Sequence, residues 1–330
     1  MAENDHIAAQ AELLASELFE EFFWQKTGPT NHDWPCEDQA RHGAKTHPCD
    51  VVYYYDEPYD PARTYVHCDL KSYAKGSISA NAVKAAVHSL AKQIACAEKS
   101  NDWRDKHVHR DANAWISGLL FVYNHDGEYD KNFQDTLLDI QSSALDIPKG
   151  SKLVVLGPKE IFWLDNIKYE LLRMRGKSNP DLPPHDHCSF FYPELSRRAR
   201  LRVKTARSAT LEMLTSPIIT LKYQFPKLSH KKGFVVFYSR KGETEDEFMY
   251  LIDIIRKNDL FGEQSDVIIK TLNPSENSSP NFQKAQKRYI ESLPIGAEAT
   301  PLAEYVNAIR YEPISQIKTS YSPIDLGTWS

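Results

Sequence analysis

The sequence has no apolar run near the roughly 20 residues that a bilayer-spanning helix needs, which excludes an ordinary helical membrane protein. Its N-terminus, MAENDHIAAQAELL, lacks a basic segment leading into an apolar one, so no secretory leader is expected. Cysteines are few: five, an odd number, widely scattered. Reduced thiols in a cytoplasmic protein are the expectation. Net positive charge is also missing. The formal charge is −5, so any surface for a polyanion has to be local. Neither a P-loop nor an internal repeat is present, and nothing points to an NTPase motor.

What is present is an ordinary soluble composition, 41% apolar and 26% charged, over 330 residues, enough for two domains. Residues from about Ile7 to Gln25 read as an amphipathic helix, with Leu14, Leu18 and Phe22 at four-residue spacing. Thr27 to His47 is rich in turn formers and reads as a polar loop with exposed histidines. Its Cys36, His42 and His47, with Cys49 just beyond, form a possible zinc set. Their C-x5-H-x4-H-x-C spacing matches no standard finger.

The stretch Pro48–Lys71, PCDVVYYYDEPYDPARTYVHCDLK, organises the rest. Two strand-like runs, Val51–Tyr55 and Thr64–Cys68, flank a connector holding Pro58 and Pro61. Paired as a hairpin, they bring Asp50, at the start of the first run, beside Asp69, at the end of the second. Side chains alternate along a strand, so Asp69 and Lys71 share a face and Leu70 points the other way, into the core. Two carboxylates and an ammonium then meet at one sheet edge, a donor set suited to a hard divalent cation. Read as structure alone, the same residues are a salt-bridged strand edge.

Beyond it, Ala80–Lys99 reads as a helix carrying His88 and Gln93, the latter expected as a surface amide. Asn101–Asn113 reads as a polar connector, Trp115–Tyr123 and Lys152–Leu156 as buried strands, and Phe133–Leu145 and Lys159–Met174 as helices. Ser178–His187, with three prolines, is the expected linker. Past it, strands are expected at Ile218–Phe225, Phe234–Ser239 and Asp266–Leu272, and helices at Glu243–Asn258, Phe282–Ser292 and near Leu302–Ile309. Between Arg197 and Lys241, twelve basic residues face a single acid, Glu212. That segregation suits a polyanion, with Arg197, Arg198, Arg200, Arg202, Lys204, Lys231 and Lys232 as candidate phosphate contacts. A solvated face or a dock for an acidic partner is the alternative.

The order helix, Asp50 strand, Asp69-Leu70-Lys71 strand, helix resembles the PD-(D/E)xK nuclease superfamily over about residues 7–160. Eighteen residues separate the two aspartates, and Pro48 stands one residue further from Asp50 than the literal P-D. The resemblance implies an α/β fold: a restriction-endonuclease-like core, with a central mixed sheet flanked by helices, in residues 1–177. A smaller basic α/β domain, for nucleic acid or a partner, is expected in 178–330. It also implies that Asp50, Asp69 and the Leu70 carbonyl hold Mg²⁺ or Mn²⁺, and that Lys71 positions or deprotonates the attacking water. Many members add an acid from the first helix. Glu17 is preferred here, with Glu12 and Glu21 as rivals, and Gln93 is a further candidate. The implied activity is metal-dependent DNA hydrolysis in a prokaryotic anti-phage or restriction system, with a second protein subunit or a homodimer as partner. The alternative is an inactive nucleic-acid-binding or scaffold subunit of the same fold.

Overall fold

The first helix, α1 (Ala2–Glu21), buries the stripe its spacing predicts: Ala11, Leu14, Ala15, Leu18 and Phe19 are all inaccessible. In this computed structural model the described residues are 2–110, 112–195, 197–228, 231–261, 265–294 and 299–319, with the side chains of 2–8, 197–199 and 299 excepted. The chain divides into two compact units. One comprises the chain through Asp165 with Ser208–Leu211 and Thr319; the other comprises Asn166–Arg207 and Glu212–Lys318. The division thus falls inside a helix, upstream of the proline-rich stretch Ser178–His187 that the sequence offered as linker. The expected boundary after residue 177 lies twelve residues beyond Asp165.

The first unit continues with β1 (Gln25–Thr27), β2 (His32–Pro35), α2 (Gln39–His42), β3 (Thr46–Cys49), β4 (Val51–Asp56) and β5 (Ala62–Tyr73). Then come α3 (Ala80–Ala97), α4 (Asn101–His107), β6 (Asn113–Asn124), β7 (Leu153–Leu156) and the start of α5 (Pro158–Arg175). The mixed sheet has the order β1-β4-β5-β6-β7. Its first two pairings are antiparallel and its last two parallel. A parallel neighbour requires a crossover, and α3 supplies the one from β5 to β6.

Helix α3 starts on a Ser79 cap, whose side chain accepts from the Ala82 N–H, and buries Val83, Val87, Leu90 and Ile94. It packs with Val52, Tyr65, Ile116, Leu120 and Val122, all on one sheet face. Gly118 on β6 makes the approach possible: a Cβ there would lie 2.4 Å from Ile94 Cδ1 and 3.1 Å from Leu90 Cγ. At the far end, Asn124–Gly127 is a turn whose Gly127 sits at φ +67°, with Asn124 bonded to Asp126.

Three expectations fail here. The segment Thr27–His47 is not a solvated loop: β2 and β3 pair as a hairpin, and Trp34, Cys36, His42 and His47 are buried. The connector Asn101–Asn113 holds helix α4, nucleated by Ser100 and anchored by the fully buried Trp103. Phe133–Leu145 is two short 3-10 turns, Phe133–Thr136 and Ser142–Ala144; Phe133 is buried, while Leu137, Ile140 and Leu145 pack only partly buried against the core.

The second unit contains the rest of α5, then β8 (Cys188–Phe190), α6 (Arg197–Thr205), α7 (Leu211–Leu214, shared at Leu211 with the first unit), β9 (Ile218–Gln224) and β10 (Lys232–Tyr238). It ends with α8 (Glu245–Lys257), β11 (Ser265–Thr271), α9 (Ser278–Glu291), α10 (Ala299–Ala308) and β12 (Arg310–Tyr311). Its sheet order is β8-β9-β10-β11-β12, again two antiparallel pairings followed by two parallel ones. The two units therefore share one strand order and one pattern of strand sense, with a helix crossing between third and fourth strands in both. Buried Lys270 on β11 is matched by Glu170 of α5 at 3.0 Å and by Glu312 at 2.8 Å.

Candidate active site

Strands β4 and β5 pair antiparallel from Val51 opposite Cys68 to Asp56 opposite Arg63. One step beyond Val51–Cys68, that register sets Asp50 opposite Asp69. Two observations fix the corner. The Leu70 backbone N–H donates to Asp50 Oδ2 at 2.7 Å, and Lys71 Nζ lies 2.6 Å from Asp69 Oδ1. The second oxygen of each aspartate makes no hydrogen bond or ion pair among the described residues. Asp69 is 8% exposed at its side chain and Lys71 34%, so the group sits at the lip of the sheet. Leu70 is half-buried rather than a core residue.

Electrostatics follow from that placement. Burial raises the Asp50 pKa above the usual carboxylate value, and the Asp69 and Glu12 charges add to the rise, while the Leu70 N–H and Lys71 oppose it. Burial alone would lower Lys71, but the adjoining Asp69 carboxylate outweighs it and leaves the ammonium above its ordinary pKa. Lys71 is thus a charged donor at neutral pH. Two opposed carboxylates, each with a free oxygen, suit an oxygen-seeking divalent cation.

Among the first-helix acids, Glu12 is one whose charge acts on Asp50. Besides acting on Asp50, it accepts from Asn31 Nδ2 at 3.2 Å, and the Asn31 backbone N–H donates to the Asp50 carbonyl at 2.9 Å. Glu17, preferred from the sequence, is five residues on and therefore about 140° around the helix from Glu12. Glu21 is buried. Gln93 is not a surface amide: it is buried and meets His67 Nε2 at 2.9 Å, two residues before Asp69. Asn31 escaped sequence reading, since nothing local marks a loop asparagine as the link between helix and strand.

A cleft of about 880 Å³ in this unit is lined in part by Tyr123, the residue after Val122, which pairs with Lys71. Its lining includes His125, Asp126, Lys131 and Glu160.

Residues 1–160 match the family model described as GAPS4 protein PD-(D/E)XK nuclease domain. The first 160 residues are a PD-(D/E)XK nuclease domain. No curated protein and no solved structure matches the chain. The nuclease domain carries a five-stranded mixed sheet with α1 before the hairpin and α3 after it, the order its motif calls for.

The second unit lacks this chemistry at the matching place. There Ile218 pairs with Tyr238, and one step beyond stand Pro217 and Ser239, joined by a 3.0 Å backbone bond. Lys241 is two residues further. Where the nuclease domain has Asp50, Asp69 and Lys71, this register has Pro217, Ser239 and Lys241. Of the candidate phosphate contacts, Lys204 and Lys232 are exposed, as are Lys222 and Lys227 nearby. Arg200 pairs with Glu194 at 2.7 Å, and Arg202 is half-buried. Lys231 is committed to the Pro180 carbonyl at 3.1 Å and the Phe225 ring. Arg197 and Arg198 begin α6, with side chains outside the described residues. Among the described residues no helix is long and apolar enough to cross a membrane.

Proposed function

We propose that the chain is a divalent-metal-dependent deoxyribonuclease of a prokaryotic anti-phage system, acting in the cytoplasm with a second subunit or a second copy of itself. The observation that carries the reading is the Asp50–Asp69 pair with Lys71 at its side, inside a domain that matches the nuclease family of a defence protein. Asp50 and Asp69 would hold Mg²⁺ or Mn²⁺ through their unpaired oxygens, with the Leu70 carbonyl as a further donor and Glu12 in place of Glu17 as the first-helix acid. When bound, the cation lowers the pKa of a water and offsets charge on the phosphate. The remaining work belongs to the chain. Lys71, held charged by Asp69, donates to the attacked phosphate and orients the water rather than taking its proton. The Leu70 N–H keeps Asp50 turned towards Asp69. Asn31 ties α1 to the first residue of the motif.

The second unit serves as the phosphate grip in this reading. Its exposed Lys204, Lys222, Lys227 and Lys232 supply charge, and its Pro217 and Ser239 positions leave it without an acid pair for cutting.

The test is cleavage of linear duplex, circular duplex and single-stranded DNA, and of RNA, by the full chain with Mg²⁺ or Mn²⁺ and in EDTA. DNA hydrolysis that requires the metal is expected. Cleavage of RNA alone overturns the substrate assignment, and hydrolysis undiminished in EDTA overturns the metal dependence.

A further inference from the structure

Four buried side chains outside the aspartate corner converge in the nuclease domain: Cys36, His42, His47 and Cys96, each offering a ligand atom within 4.8 Å of the others. We propose that they bind one zinc ion as a closed structural site that fastens the β2–β3 hairpin to helix α3. This is independent of the cleavage reading.

The distances fit a tetrahedron. Zn–S near 2.3 Å and Zn–N near 2.0–2.1 Å put ligand sulfurs about 3.8 Å apart and sulfur and nitrogen about 3.5 Å apart. The two sulfurs lie 3.7 Å apart, and His42 Nδ1 is 3.4 Å from Cys36 Sγ and 3.2 Å from Cys96 Sγ. Both cysteines are free thiols. His47 closes the group, its ring centroid 5.6 Å from that of His42. Its Nε2 is buried without a hydrogen-bond partner. A buried imidazole nitrogen with nothing to bond is costly unless something fills the place, and a metal does so.

Without a metal, burial and the neighbouring Cys36 thiol raise the Cys96 pKa, although backbone hydrogen bonds from Glu37 and Asp38 oppose the rise. A bound cation would supply the charge that holds both sulfurs as thiolates. Lys92, one turn earlier on α3, donates to the His42 carbonyl at 3.1 Å, holding the α2 turn against the helix. Two thiolates and two neutral imidazoles select zinc over magnesium or calcium, which take oxygen donors. Four protein ligands leave no open position, so the role is structural. Its placement gives it a consequence: His47 is three residues before Asp50, so the ion would anchor the strand that delivers the first catalytic carboxylate.

The set differs from the one the spacing suggested. Cys49 faces away, grouped with His32 and His107, and burial pushes its thiol up to about 12. Its place is taken by Cys96, sixty residues beyond Cys36 on the inner face of α3.

Elemental analysis of the full chain, purified without added zinc and dialysed into Mg²⁺ buffer, tests the proposal. About one zinc per chain is expected, lost in Cys36→Ser and Cys96→Ser and retained in Cys49→Ser. Should the two variants fail to fold, wild-type protein still decides the matter. A thiol-blocking mercurial should release the zinc stoichiometrically, and Co²⁺ in its place should give the intense visible bands of a tetrahedral S2N2 site. Removing the metal should lower the melting temperature. Absence of zinc, zinc that survives both cysteine variants, or a Cys36–Cys96 disulfide in the purified protein overturns it.

Discussion

Asp50 and Asp69 are legible in sequence because a carboxylate at the end of an apolar run stands out. Their meeting depends on hairpin register, with Val51 opposite Cys68 and Asp56 opposite Arg63. Glu12 is not separable from Glu17 in sequence, since the choice depends on how α1 rotates on the sheet. The histidines mislead for a related reason: a His in a turn-rich stretch reads as solvated, yet His107 is 1% exposed. Its Nδ1 lies 3.2 Å from the Thr27 carbonyl. Burial lowers its pKa to about 4, with His32 and Lys106 acting in the same direction and the Thr27 bond opposing. An unfolded histidine titrates near 6.5. The neutral ring therefore stabilises the fold fully above about pH 6.5, and that contribution is lost as pH falls towards 4. The expected decline is up to about 1.4 kcal/mol per pH unit from this residue. Urea unfolding between pH 7.5 and 4.5 measures it. Wild type should weaken steadily and His107→Gln less steeply; identical slopes for the two would contradict the assignment.

At the level of elements, the strongly periodic segments are readable: α1, α3, α8 and the apolar strands β6, β7, β10 and β11. Those that are not have no period of their own. Helix α4 is seven residues long and rests on one tryptophan and a serine cap, and the Phe133–Leu145 turns meet the core through scattered, mostly half-buried apolar residues. Gly118 marks where the layer spacing is set. A methyl there must displace Ile94 and Leu90 of α3. Gly118→Ala should cost about 1–3 kcal/mol, read as a lowered melting temperature, and pairing it with Ile94→Val should recover part of the loss. An unchanged melting temperature in the single variant would mean that α3 is not seated on β6 as described.

For the whole molecule, the proposed division of labour rests on how charge is distributed along the chain. The acids of the motif stand early, and the basic interval starts more than a hundred residues later. The repeated strand order is invisible in sequence, because two sheets can share a topology while sharing no motif: Asp50, Asp69 and Lys71 in one, Pro217, Ser239 and Lys241 in the other. Charge in the second unit should therefore govern affinity and not chemistry. Replacing Lys204, Lys222, Lys227 and Lys232 together by Gln should weaken DNA binding. It should also flatten the dependence of log K on log salt, by about 0.9 for each phosphate that is no longer neutralised. Single-turnover cleavage at saturating DNA should be unchanged. Loss of that cleavage step, with affinity intact, would contradict the separation.

The most direct test of the central claim compares DNA cleavage by wild type, Asp69→Ala and Lys71→Ala at saturating Mg²⁺ and Mn²⁺, with melting temperatures measured alongside. Both variants should fold and bind DNA, yet cut at least about a hundredfold more slowly, the low end of what a positioned catalytic group contributes. Wild-type cleavage by either folded variant would contradict it.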